Sequence, residues 1–304
     1  MARRLQGPLR EEISSFNPDV VHVSTGSLAA VGRYLQGIPT VLAALDAWHL
    51  NVEAWADQAR GLRRAILRTE ADRVRRFEAT DFARFDRVVV VTDEDRLALL
   101  SVNPDLTVEA IPNGVDVEKF APRTSERVPG RILFTGVMSY APNVAAAETL
   151  ARDILPTVRE SHPEAHLVII GRRPNARVLA LAELDGVEVT GEVDEMEPWL
   201  SSGALYACPM VSGTGIKNKL LEAMANGLPC VATRLAVQGL EVTGGGQLLL
   251  GATNEELAAQ ILALLDDPAR ASELGVAARS YVTDHHSWAA VARAYEGVYR
   301  AAGA

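Results

Sequence analysis

Short apolar runs rich in Val, Ile and Leu recur along the chain, each followed by a stretch whose apolar residues fall at helical spacing. The runs are Val20–Ser24, Thr40–Leu45, Arg87–Thr92, Thr107–Ile111, Arg131–Thr135, His166–Ile170, Val187–Thr190, Ala204–Cys208, Cys230–Thr233 and Gln247–Leu250. Most are continuous rather than alternating, as expected of strands covered on both faces. Strand then helix, repeated, predicts parallel α/β sheets. Between Phe120 and Gly130 the pattern breaks into a polar stretch with two prolines. It reads as a linker, after which Arg131–Thr135 restarts the alternation. The expected fold is α/β, with two Rossmann-like, doubly wound parallel-sheet domains. Such domains bind ligands at the carboxyl ends of their strands, and two that face each other make a cleft.

The length of 304 residues suits two domains of that kind. The net charge of −9 argues against a nucleic-acid partner, whose phosphates are neutralised by Lys and Arg. Cys208 and Cys230 both lie in apolar runs and read as buried strand thiols. No Cys/His cluster has metal-ligand spacing, so no metal site is expected. The first residues lack an apolar core of signal-peptide type, and no uncharged apolar run is long enough to span a bilayer. The expected location is cytoplasmic. One segment departs from the acidic balance: Arg60–Arg87 carries nine arginines against five acids and reads as a long basic helix. It is either a solvated face laced with i,i+4 pairs, or a contact for an anionic membrane or phosphorylated acceptor. The second reading would place the protein peripherally at the inner membrane face.

The most informative stretch runs from Gly213 to Thr233, Gly-Thr-Gly-Ile-Lys-Asn-Lys-Leu-Leu-Glu-Ala-Met-Ala-Asn-Gly-Leu-Pro-Cys-Val-Ala-Thr. Gly213 and Gly215 let the backbone approach a ligand closely. A helix is expected from about Ile216 to Asn226, ended by Gly227 and kept from resuming by Pro229. The N-terminus of a glycine-opened helix is an anion site through its free N–H groups and positive dipole end. Lys217 and Lys219 add charge there, so the loop suits a pyrophosphate. Glu222 lies about a turn deeper among Leu and Ala, where a carboxylate needs a partner, such as vicinal ribose hydroxyls or a structural cap.

This string resembles the nucleotide-sugar motif of group-4 (GT4) glycosyltransferases with the GT-B fold, in the branch with Gly-Ile-Lys-Asn-Lys before the motif glutamate. Ile-Pro-Asn-Gly-Val-Asp116, Phe-Thr-Gly136, Tyr-Ala-Pro-Asn143, Ile-Ile-Gly-Arg172, Val-Thr-Gly-Glu-Val-Asp194 and Gln-Gly-Leu240 add to the resemblance, which covers about residues 17–286. Thr214 stands where the family commonly has a first glutamate. The resemblance implies a retaining, metal-independent glycosyltransferase of hexosyltransferase type. It would take a nucleoside-diphosphate sugar as substrate, use no cofactor, and act on a hydroxyl of a saccharide, lipid-linked or small-molecule acceptor. It implies a donor site of Gly136, Arg172, Thr214, Gly215, Ile216, Lys217, Asn218, Lys219 and Glu222. Lys219 is the first choice for a phosphate contact, Lys217 the second, and Arg173 a substitute for Arg172. Asn218 reads as a donor contact or a helix N-cap. The implied division is residues 1–122 on the acceptor side, 123–285 on the donor side, and 286–304 as a helix crossing back to the first domain. Only four strands precede the linker, so the N-terminal domain is expected to be incomplete, with a free edge at Val20–Ser24 that favours a homodimer. A nucleotide-sugar-binding fragment without turnover and a GT-B epimerase are the rival readings.

In the first half, Asp46 matches the aspartate of a family His-Asp pair, whose histidine is Leu45 here. Asp46 and His49 are the candidate catalytic residues, with a helix N-cap and a surface histidine as the alternatives. Glu78 is expected to pair with an arginine, and His22 with backbone. Asp93-Glu-Asp95 has the look of a metal motif but follows Thr92 at a helix start, where acidic capping is expected. The stretch Ser287–Tyr299 reads as an amphipathic helix with Trp288, Val291, Tyr295 and Val298 on one face.

Overall fold

The computed structural model describes residues 2–123, 127–213 and 215–303, with side chains from Gln6 onward. The described chain falls into two compact units, Met1–Pro112 with Val291–Ala304, and Asn113–Ala290. The division precedes the polar linker because the Val115 N–H donates to the His286 carbonyl at 2.7 Å. Gly114 lies so close to Trp288 that a side chain at 114 would strike the indole. Both ties belong to the second unit.

The first unit has a four-stranded parallel sheet in the order β1 (Val21–Ser24), β2 (Thr40–Leu45), β3 (Arg87–Val90), β4 (Val108–Ala110). Helices α1 (Ala2–Phe16), α2 (Trp48–Gln58), α3 (Gly61–Asp81) and α4 (Asp93–Val102) accompany it. Phe82, Leu42, Val88 and Leu99 centre one core. On a second core, Val291 and Val298 of the C-terminal helix Trp288–Ala302 join Val41, Val89 and Ile111. Trp288 departs from the expected apolar face and is exposed, because it lies before the point where the helix enters this unit. The basic segment is helical only to Asp81. A 3-10 turn at Phe82–Arg84 then buries Phe82 and feeds β3. Thr92 caps α4 as expected, accepting from the Asp95 N–H at 3.1 Å.

The second unit has six parallel strands in the order β10-β9-β8-β5-β6-β7: β5 (Arg131–Thr135), β6 (His166–Ile170), β7 (Val187–Gly191), β8 (Leu205–Cys208), β9 (Cys230–Ala232) and β10 (Leu249–Leu250). Its helices in chain order are α5 (Ala141–Thr149), α6 (Leu155–Arg159), α7 (Ala176–Leu179), α8 (Glu197–Ser202), α9 (Asn218–Ala225), α10 (Asn254–Asp266) and α11 (Pro268–His286). The chain builds outward from β5 to β7, then returns to place β8 on the other side of β5. That reversal is a topological switch point, where side chains diverge at the carboxyl ends and leave a crevice. The Tyr206 hydroxyl, fully buried on β8, locks the spot by bonding Thr135 Oγ1 at 2.9 Å at the end of β5.

Candidate functional site

A cavity of about 460 Å³ opens at the carboxyl ends of β5, β6, β7 and β8, entirely within the second unit. Gly136 ends β5 with φ 158° and Gly171 ends β6 with φ 149°. A Cβ on Gly171 would meet the Gly136 carbonyl oxygen at 1.7 Å, and one on Gly136 would meet Asn143 Nδ2 at 2.6 Å and Lys219 Nζ at 3.0 Å. Only glycines let the two strand ends close up and leave that space to a ligand.

Helix α9 starts at Asn218, two residues later than expected, with Lys217 rather than Asn218 as the N-cap residue. Gly213 (φ 102°) and Gly215 (φ 70°) shape the preceding turn. Gly213 and Ile216 line the cavity, and Gly215 supplies the bend behind it. Thr214 lies outside the described residues. Lys217 is buried and turned back on its own loop, donating to the Gly213 carbonyl at 3.2 Å and the Gly215 carbonyl at 2.5 Å. Asn218 lines the cavity, and its Oδ1 accepts from Asn113 at 3.2 Å.

Lys219 points into the cavity. Its ammonium bonds Asn143 Oδ1 and lies 4.8 Å from the centre of the Phe134 ring, a cation–π arrangement. Burial lowers its pKa to about 8. Arg172 also lines the cavity, with no side-chain partner among the described residues, while Arg173 (φ 58°) does not line it. Glu222 closes the floor. Burial raises its carboxyl above the ordinary range, against the pull of Lys119 and Lys219, and Glu197 adds to the rise. Gly227 (φ 70°) ends α9 as the sequence requires. The cavity thus brings Lys219, Arg172 and a helix N-terminus together with the Glu222 carboxylate, an arrangement that can hold a diphosphate and a pair of hydroxyls. Sequence reasoning did not place Asn143, Tyr140, Met210 or Glu192 on this cavity. Tyr140 and Asn143 had a signal in the Tyr-Ala-Pro-Asn string after Gly136, and Glu192 in the Val-Thr-Gly-Glu-Val-Asp string; Met210 had none.

A second cavity, of about 640 Å³, lies in the first unit at the ends of β1 and β2. Two non-glycine residues with left-handed backbone, Thr25 (φ 83°) and Leu45 (φ 77°), form its lip. Such strain persists where surrounding structure holds it, and it gathers at ligand sites. Asp46 follows Leu45 and reaches the cavity. Its Oδ2 accepts from Asn51 at 3.0 Å. Burial, then Asp95 and Glu78, raise its pKa. His49 does not line the cavity. Both it and Glu78 are 1 % exposed, with His49 Nδ1 2.5 Å from Glu78 Oε2 and the His49 N–H donating to Oε1 at 3.3 Å. Glu78 therefore pairs with a histidine, not an arginine, because α3 turns it inward against α2. His22 meets the Tyr299 hydroxyl at 3.0 Å, not backbone. Among the described residues no cluster of three metal-ligating side chains occurs.

Comparison with known proteins bears on both units. Residues 129–267 match the family of group 1 glycosyl transferases, and residues 2–119 match glycosyltransferase family 4. Together the two matches span most of the chain, and both are to glycosyltransferase families. Among characterised relatives, a GDP-mannose-dependent monoacylated α-(1-6)-phosphatidylinositol monomannoside mannosyltransferase of Corynebacterium glutamicum is 30 % identical, over 60 % of this chain and 53 % of its own. A phosphatidyl-myo-inositol mannosyltransferase of Mycobacterium leprae is also 30 % identical, over 62 % of this chain and 52 % of its own. The chain spans about half the length of these relatives. Among solved structures, Anabaena HepE in complex with UDP covers 98 % of this chain and 82 % of its own at 14 % identity, with a TM-score of 0.74. Sucrose-phosphate synthase of Thermosynechococcus elongatus covers 98 % and 77 % at 18 % identity, with a TM-score of 0.70. At these identities the structures establish the fold.

Proposed function

We propose that the chain is a retaining, metal-independent hexosyltransferase that takes a nucleoside-diphosphate sugar in the second unit and transfers the sugar to an acceptor hydroxyl. The observation that carries this reading is Lys219, a buried ammonium at the space above Gly136, in a cavity that Arg172 and the start of α9 also line. As the bond from the sugar to the diphosphate breaks, negative charge grows on the leaving oxygen. Lys219, Arg172 and the α9 N–H groups would meet that charge and supply the neutralisation a divalent metal gives elsewhere. No cofactor is required. Glu222 would accept two hydrogen bonds from the ribose hydroxyls. Asp46, desolvated beside Asp95 and Glu78, would accept the acceptor hydroxyl's bond and orient it. The mannosyltransferase relatives favour a hexose on the donor, and two of their lipid acceptors favour a saccharide or lipid-linked acceptor here. The edge of β1, paired only with β2 among the described residues, supports a homodimer.

The test is Glu222→Gln, which keeps shape but puts a donor where an acceptor is needed. Losing a hydrogen bond to a charged group costs about 1.5–3 kcal/mol, so donor affinity should fall roughly 10- to 150-fold while the melting temperature holds. Unchanged affinity removes Glu222 from the site. Transfer in excess EDTA should equal transfer with Mg²⁺, and a strict divalent requirement would contradict the metal-free reading.

A further inference from the structure

Seven of the chain's 30 cationic residues are arginines within residues 60–76, set against only two acids in the same stretch, although the chain as a whole carries −9. In the structure all seven are exposed. Arg64 and Arg75 tie α3 to α2 through Asp57 at 3.6 Å and Glu53 at 2.6 Å. Arg73 lies 3.6 Å from Glu70 one turn back. Arg60, Arg63, Arg68 and Arg76 have no acidic partner among the described residues, so the excess charge is not neutralised locally.

Apolar side chains share this surface. Leu62 is 78 % exposed and Ile66, one turn on, is 60 % exposed. On the adjoining α2, Trp48 and Trp55 are both about half-exposed and stack edge to face, ring centres 5.4 Å apart. The buried face of α3 is elsewhere, at Ala71 and Glu78. A soluble polyanion would be met by the arginines alone and would leave these four groups wet. A bilayer surface uses both, because Trp and branched aliphatic side chains enter the interfacial layer while arginines reach anionic headgroups over their own apolar stems.

We infer that the exposed faces of α2 and α3 form a docking surface for an anionic lipid bilayer, with Trp55, Leu62 and Ile66 inserted and Arg60, Arg63 and Arg76 on headgroup phosphates. Trp48 and Arg73 also line the cavity that holds Asp46, so a docked bilayer meets the mouth of that cavity. The inference stands apart from donor binding in the second unit.

The experiment is co-sedimentation with two vesicle compositions, phosphatidylcholine alone and phosphatidylcholine with roughly a third phosphatidylglycerol. The protein should pellet with the anionic vesicles only, and high salt should release part of it. The variant R63Q/R76Q should lower partitioning by roughly thirtyfold. The variant L62S/I66S should lower it at least about tenfold while keeping the preference for anionic lipid. Neither set touches a cavity-lining residue, so nucleotide-sugar thermal shifts should match wild type and report that the second unit is folded. Equal partitioning of the wild type on both compositions overturns the inference without reference to any variant. So does wild-type binding by either folded variant, or binding to an RNA homopolymer in place of vesicles.

Discussion

At Lys219, burial and charge compete directly. The ammonium sits over Phe134 against Asn143, and desolvation brings its pKa to about 8. A lysine with a lowered pKa leaves the native state less protonated than the unfolded chain above that value, so the burden on stability is heaviest at neutral pH and is relieved as pH rises through about 8. A bound diphosphate would reverse the preference and hold the proton. Donor affinity should therefore weaken by up to about tenfold per unit as pH climbs above 8. Titration calorimetry near neutrality and again in alkaline buffer would show this. Flat affinity would mean that Lys219 does not face the phosphates. The spacing of Lys219 and Glu222 behind two glycines was legible in the sequence because a helix start fixes which residues share its first turns. His49 was not, since sequence gives its distance from the strand but not the inward turn of α2 that seals it on Glu78.

At the scale of elements, all ten apolar runs form strands, and their ends agree to within a residue or two. Continuous β-branched runs flanked by turn residues leave little choice. The basic segment was harder. Its charge pattern continues past Asp81, but Phe82 and Phe85 need the core, and burying them breaks the helix. The pair Gly136–Gly171 ties strand geometry to the cavity of the second unit. Gly171→Ala would put a methyl carbon on the Gly136 carbonyl. It should destabilise the protein by several kcal/mol, at the diagnostic end of single-residue effects, and abolish donor binding. A melting curve close to wild type would show that the β5 and β6 ends have room to part. Gly37→Ala, where no atom lies within 4 Å but φ is +84°, is the control for backbone strain without collision.

At the scale of the molecule, the two sheets differ in topology. The six-stranded sheet has a switch point between β5 and β8 and places its cavity there, whereas the four-stranded sheet runs in simple order and gathers strained loops, Asp46 and the aromatic–arginine surface at its own strand ends. The parallel α/β class was legible from strand–helix alternation alone, whereas the strand order was not: only the six-stranded sheet is doubly wound, and the four-stranded sheet has no reversal. That Asn143 and Phe134 would hold the Lys219 ammonium was not legible either, because it depends on β5, α5 and α9 converging from 76 residues apart in sequence. The most direct test is a crystal structure of the chain with GDP or UDP soaked in. The account predicts the diphosphate within hydrogen-bond distance of Lys219 Nζ and the Arg172 guanidinium, above Gly136, with the ribose hydroxyls on Glu222. A nucleotide bound elsewhere, or with its phosphates turned away from Lys219 toward solvent, would contradict it.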